Sequence, residues 1–406
     1  MTLSAYLPTW PLSVSPALWL ALALVIAVLV GEGLVRYLRL PRIVGYVGIG
    51  LLLGPAGLNM IPVLPAAEWR LLIDLALGIL LFELGSKVNL RWLKANPWIA
   101  GTSLLEAAAT FFAVFGLLLW FDVAHVTAAV VAAIAIATSP AIVVRTVTES
   151  RARGQVTERL LLMTALNCIY AIICHKLAVA FMHDEAGASL IHTVLQPLYL
   201  ISGSALLGWL FGGAFNFIHR HMGQHEETFS FLLFGMIAIA TIVASTLKLS
   251  PMLVLLAAGL ITRYQREHPR TFLPHFGSAG AILVVLMFTA NGLAANLDGL
   301  RDSMLLVLLL ILVRAIAKLL PVLVLARYSG ISLHQAIALG IALVPMSSLT
   351  LLLTLDTAVA FPAFASGLGL VLMSCIVILE LAGPILVQMA LRGAGETLEV
   401  PWRKKV

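Results

Sequence analysis

Apolar residues run along this chain in blocks too long for the helices of a soluble core, separated by short polar loops. Blocks able to cross ~30 Å of hydrocarbon lie near 17–38, 41–59, 68–89, 95–121, 125–148, 157–183, 190–218, 227–246, 249–265, 274–291, 302–328, 331–354 and 364–391. The pattern predicts an all-α polytopic membrane protein of thirteen spans. Helices are required because hydrocarbon offers no water to satisfy the backbone N–H and C=O groups.

Two of these blocks carry a break. In the stretch 134–176, IAIATSPAIVVRTVTESRARGQVTERLLLMTALNCIYAIICHK, span 5 is interrupted at Thr138-Ser139-Pro140. Pro140 cannot donate a backbone hydrogen bond, and in a continuous helix its ring would crowd the carbonyl of Ile136. Such a break survives at membrane depth only where it is buried in protein or lines a cavity. A kinked helix whose hydroxyls bond back to its own backbone is the plainer reading of this stretch alone. Span 12 carries a matching feature, GIALVPMSSLT, with Pro345 in mid-span beside Ser347 and Ser348.

Composition supports the membrane reading: 61% of the 406 residues are hydrophobic, only 11% are charged, and the mean hydropathy is +1.05. The net charge of +6 reflects loop topology and not nucleic-acid binding. Nineteen lysines and arginines fall in one set of alternating loops and the C-terminal tail, against Arg70, Lys248 and Arg301 in the other. That split predicts a cytoplasmic C-terminus and, with an odd span count, an N-terminus outside. Cys168, Cys174 and Cys375 all lie in apolar runs, with no metal-ligand or disulfide spacing. The first apolar run is long enough to span and has no basic residues before it, so it reads as an anchor and not a cleaved signal. If span 7 links two six-span halves, the halves are inverted repeats, and spans 5 and 12 become partners. Two antiparallel broken helices then bring helix ends of both signs to one point.

The run LPRIVGYVGIGLLLGPAGLNMI (residues 40–61) resembles the LP-x-x-x-GY…GxxxGP-x-GL opening of the cation:proton antiporter superfamily, the sodium/hydrogen exchanger fold. LLFELGSKVNLRWLKANP is similar to the third helix of the branch containing potassium-efflux antiporters. ILVRAIAKLLPVLVLARYSGISLHQAIALGIAL resembles the lysine-bearing helix and the start of the second broken helix of that branch. The resemblance implies a mobile core transport part, 95–183 and 302–391, that carries the ion by an elevator-like movement. It implies a scaffold part that dimerises, 17–89 and 227–291, with 190–218 as linker helix. It further implies a homodimer in the plasma membrane, the inner membrane of a bacterium, with a monovalent cation and protons as partners. No cofactor, metal or nucleic acid is expected.

The chain departs from the family at two places. The residue after Asn167 is an aspartate in the family and Cys168 here; the glycine-glutamate-phenylalanine run of the second broken helix is replaced by Met346-Ser347-Ser348-Leu349. The ion site carried over by the resemblance comprises Thr138, Ser139, Asn167, Cys168, Ser347 and Ser348. Charge at the bilayer centre costs at least ~2.5–3.5 kcal/mol, so every ionisable residue within a span needs a partner, a neutral form or a function. Lys318 matches the family's lysine and Arg314 lies one turn before it; Glu106 and Glu380 are the expected counter-charges. Asp74 and Glu83 read as packing or interfacial residues. His175 follows Cys168 by seven residues, sharing its helical face to within ~20° at ~10 Å farther along. A histidine there is a candidate proton carrier, or is simply bonded to a neighbouring helix.

Exchange of sodium or potassium for protons is the leading reading. An anion or organic-anion carrier is the alternative raised by Lys318 and Arg314 in a site without an aspartate, and a transport-inactive sensor is a third. No phosphate-binding loop or hydrolytic constellation points to an enzyme.

Overall fold

The computed structural model describes residues 16–61, 66–184, 190–222, 226–265, 277–295, 297, 300 and 303–397. Residues 274–276 and 302 of the predicted spans, Arg266, Arg270, Arg301 and the basic tail at Arg403, Lys404 and Lys405 lie outside these. All regular structure among the described residues is helical. In chain order the helices are α1 (Pro16–Gly33, continued by a wider turn Leu34–Leu38), α2 (Arg42–Leu53), α3 (Ala66–Lys87), α4 (Leu90–Ala95), α5 (Pro97–Trp120), α6 (His125–Ile136) and α7 (Pro140–Glu149). Then come α8 (Gln155–Asp184), α9 (Leu190–Met222), α10 (Glu226–Thr246), α11 (Pro251–Tyr264) and α12 (Gly277–Leu293). The last are α13 (Met304–Val324), α14 (Leu333–Ala342), α15 (Ser348–Ala360), α16 (Pro362–Ser366) and α17 (Leu368–Gly393).

Seven helical stretches among the described residues are long and apolar enough to cross a membrane. Large apolar side chains such as Leu29, Phe112, Phe231 and Leu305 stand exposed on their outer faces, as expected where the solvent is lipid.

The starts of several helices are written locally. Ser139-Pro140 and Ser250-Pro251 use the same device: the serine hydroxyl accepts from the backbone N–H three residues on, at Ile142 and Leu253. Proline then occupies the first helical position, where its missing N–H costs nothing. Ser332 and Gln335 form a reciprocal capping box at the start of α14.

Packing falls into two sets of contacts. In one, α2 lies against α1 and α12, and α11 against α3, α9 and α10; in the other, α5 lies against α6 and α13, α6 against α8, and α14 against α13 and α17. Close approach in the first set depends on glycine. A Cβ on Gly85 of α3 would run into the Leu256 carbonyl of α11, and one on Gly259 into the Phe82 carbonyl, the small-residue packing by which helices associate in lipid. The sets meet where α17 touches α2, α7 touches α3, and α15 touches α12. α6 is enclosed almost entirely: Val130 to Ala137 are each at most 2% exposed.

Candidate ion site at the crossing of two interrupted helices

Pro140 does not kink a continuous helix. α6 stops at Ile136, residues 137–139 are extended or irregular, and α7 begins at Pro140. The second break runs from Leu343 to Ser347, between α14 and α15. The two irregular segments lie against each other and satisfy each other's backbones. Ser139 N donates to Pro345 O at 2.9 Å, Thr138 Oγ1 donates to Leu343 O at 2.9 Å, and the Ser139 and Ser347 hydroxyls share a hydrogen bond. The plainer reading therefore holds only in part: the Ser139 hydroxyl caps its own helix at Ile142 N, while Thr138 and Ser139 also bond across the crossing.

The C-terminal ends of α6 and α14 leave carbonyls without helical partners, and two cations fill that need. Arg314 of α13 donates from Nε to Ala135 O at 2.8 Å, from Nη2 to Ala137 O at 2.6 Å, and from Nη1 to Val344 O. Lys318, one turn on, donates to Ile136 O at 2.9 Å and to Thr138 Oγ1 at 3.2 Å. Positive charge at a helix C-terminus is stabilised by the negative end of the helix dipole, so each buried cation has a structural reason to be there.

Lys318 also forms an ion pair with Glu106 of α5 at 2.5 Å, and both side chains are fully buried. The other oxygen of Glu106 accepts from Asn167 Nδ2 at 2.8 Å. Asn167 also donates to Thr138 Oγ1 at 3.2 Å and accepts from Ser103 at 3.5 Å. Cys168 Sγ lies 3.6 Å from Thr138 O. Thr138, Ser139, Asn167, Cys168 and Ser347 thus meet with Glu106 and Lys318 at one buried place.

The remaining predicted residues fall elsewhere. Glu380 of α17 is not a counter-charge of Lys318 or Arg314. Its Oε1 accepts from Asn291 Nδ2 of α12 at 2.8 Å, and the same amide donates to Ser348 Oγ at 3.0 Å. Arg314 has no carboxylate partner among the described residues; each of its three nitrogens donates to a carbonyl, and the expected four-residue charge cluster does not form. His175 is buried and its Nε2 pairs with Thr357 Oγ1 of α15 at 2.8 Å. Glu83 pairs with Lys87 at 2.8 Å and Arg145 at 3.6 Å. Asn291 and Ser103 went unnoticed in the sequence. The usable signals were an amide inside an apolar run, and a serine three residues before Glu106 on one helical face.

Asp74, Lys176, Lys248, Ser250, Leu353 and Asp356 help line a cavity of about 450 Å³. Its lining comes from α3, α8, α11 and α15, with Gln196 and Leu200 of α9.

A multi-span, all-helical protein with two interrupted helices crossing in its buried interior has the architecture of a secondary transporter. Residues 21–392 match the family "sodium/hydrogen exchanger, transmembrane", and the chain belongs to that family, one of transporters and not of enzymes. No curated protein matches the chain. Among solved structures it is similar to the sodium proton antiporter MjNhaP1 from Methanocaldococcus jannaschii at pH 8: TM-score 0.69, 17% identity, covering 93% of this chain and 95% of that one. A second structure of the same antiporter, from electron microscopy, superposes with TM-score 0.73 at 18% identity over 93% and 94% of the two chains. At these identities the likeness defines the fold.

Proposed function

We propose that this protein exchanges a monovalent cation, sodium or potassium, for protons. Its ion site is formed by Thr138, Ser139, Asn167, Cys168, Ser347 and Ser348, with Glu106 standing in for the aspartate that Cys168 replaces. The observation that carries this reading is the Glu106 carboxylate, held between Asn167 at 2.8 Å and Lys318 at 2.5 Å beside the crossing. A thiol titrates near pH ~8.5 even in water, so Cys168 brings no fixed charge, whereas Glu106 does. The Glu106–Lys318 pair balances the site when no ion is bound. A cation that takes the place of the ammonium against Glu106 adds one charge, and loss of one proton from Lys318 restores the balance. One cation in and one proton out is the exchange this charge arithmetic allows.

The Glu106 carboxylate argues against an anion carrier. Arg314 and Lys318 are held at the helix-end carbonyls Ala135 O, Ala137 O, Val344 O and Ile136 O, and the carboxylate paired with Lys318 favours a cation beside it over an anion. We further assign α5–α8 and α13–α17 to a moving core, and α1–α3 and α10–α12 to a scaffold that dimerises, with α9 linking them. In this arrangement thirteen spans form two inverted halves, with the N-terminus outside and the C-terminus in the cytoplasm. The motifs quoted above favour the branch containing potassium-efflux antiporters.

The test is flux in proteoliposomes loaded with an internal pH dye and challenged with sodium, potassium, lithium and a panel of anions. A sodium or potassium gradient should drive proton movement, and Glu106→Gln should reduce it at least tenfold. Proton movement driven by an anion gradient, or full activity in Glu106→Gln, would overturn the proposal.

A further inference from the structure

Among the described residues, Glu380 is a buried carboxyl that the site above does not use and, unlike Glu83, has no basic partner. It is 1% exposed, and among the described residues it forms no ion pair. Its hydrogen-bond partner is the Asn291 amide, which reaches across from α12 to both Glu380 on α17 and Ser348 at the start of α15. Asn291 is itself 4% exposed, and its Oδ1 is buried without a partner. The cluster therefore spans the boundary between α12 on one side and α15 and α17 on the other.

The neighbouring ionisable groups are all engaged elsewhere. Around α17, Arg42 pairs with Glu32 and Glu149, Arg145 lies beside Glu83, and Tyr46 lines a small cavity with Arg42. Arg314 and Lys318 are occupied as described, and His334 pairs with Gly393 O. Cys375 donates to Val307 O, Arg392 lies near Arg39 O, and Asp356 helps line the cavity of about 450 Å³. Helix α16 carries no ionisable side chain. An ionised carboxylate left in such a place, with one neutral amide for company, bears a desolvation cost that nothing nearby offsets. A carboxylic acid does not, and its proton can go to an acceptor. Rotating the Asn291 amide would present Oδ1 to both the Glu380 carboxyl proton and the Ser348 hydroxyl, at the positions Nδ2 now holds.

We propose that Glu380 is a second proton site, separate from the Glu106–Lys318 pair. It holds a proton while buried against Asn291, and releases it to water when α17 and α15 move past α12. The release breaks the carboxyl O–H bond, delivers the proton to water on whichever side the boundary opens, and leaves a hydrated carboxylate. On return the carboxylate must take up a proton before it can be buried again. This rests on the exchanger reading for the movement, but the protonation state is separable from transport. Because the carboxyl is protonated on every passage, it carries a proton in both directions, adds nothing to the net exchange at Glu106, and instead gates the movement by requiring a proton before the boundary can close.

Infrared spectroscopy of the reconstituted protein reads the proton directly. At neutral pH the wild type should show the C=O stretch of a protonated carboxylic acid that is lost in Glu380→Gln and kept in Glu106→Gln. If Glu380→Gln does not fold, Asn291→Leu should shift that band by removing its hydrogen-bond partner. No such band, or one insensitive to both substitutions, overturns the proposal. In the flux assay, Glu380→Gln stands in for the permanently protonated acid: exchange should keep the wild-type reversal potential but lose the slowing at alkaline pH that the need to reprotonate Glu380 imposes on the wild type; an unchanged pH profile overturns the gating role. A wild type without cation-driven flux would defeat the exchanger reading, while the band would still decide whether Glu380 holds a proton.

Discussion

Removing the charge of Glu106 tests the centre of the site most directly. Glu106→Gln keeps the side chain's size and leaves the Lys318 ammonium buried among neutral acceptors alone: the new amide oxygen, Ile136 O and Thr138 Oγ1. At the 2.5 Å separation of the pair, the Coulomb attraction is roughly 7 kcal/mol for an effective dielectric constant of ~20. Desolvation of the two groups cancels much of this. Breaking one partner of a buried pair costs about 3–5 kcal/mol, whereas replacing both by neutral groups is often close to neutral. Glu106→Gln and Lys318→Met should each therefore destabilise the protein by about 3–5 kcal/mol, and the double variant by far less than the sum. Lys248→Ala, at the positive-φ residue of the turn between α10 and α11, is the control and should change stability by less than ~1 kcal/mol. Unfolding in mixed detergent micelles, followed by tryptophan fluorescence, gives all four values. Additive single effects, or singles no worse than Lys248→Ala, would refute the claim that the two charges depend on each other.

Three further outcomes follow from the geometry. Cys168→Asp should create or strengthen sodium- or potassium-dependent proton movement in proteoliposomes while Cys168→Ser changes little. The reason is that Cys168 Sγ faces Thr138 O at 3.6 Å, where a carboxylate needs a cation or a proton between; wild-type flux of every ion in the Asp variant would remove Cys168 from the pathway. Glu396→Ala should cost about 1–2 kcal/mol and speed amide exchange in the first turn of α8. Its two carboxylate oxygens accept from Val156 N and Thr157 N at 2.7 Å, and unchanged exchange would show that this cap is idle. Reporter fusions after residues 65 and 406 should report opposite sides of the membrane, and the same side for both would refute the topology drawn from the loop charges.

The class of protein was legible in the chain because its causes are local. A segment either is apolar for long enough to cross hydrocarbon or is not, and loop lysines and arginines sort by side without reference to the fold. Ser139-Pro140 was readable as a break because its cap and its proline act on adjacent residues. Proline alone was not a sufficient signal. Pro197, Pro321 and Pro384 sit inside α9, α13 and α17 without ending them, whereas the break around Pro345 persists where the other interrupted segment receives its carbonyl. Which charge meets which was decided only by the tertiary structure. Lys318 and Glu106 lie 212 residues apart, and Glu380 was as good a candidate until packing put Asn291 in front of it and helix-end carbonyls in front of Arg314. Hydropathy measures the cost of burying each group; it carries no information about which distant group will be buried beside it.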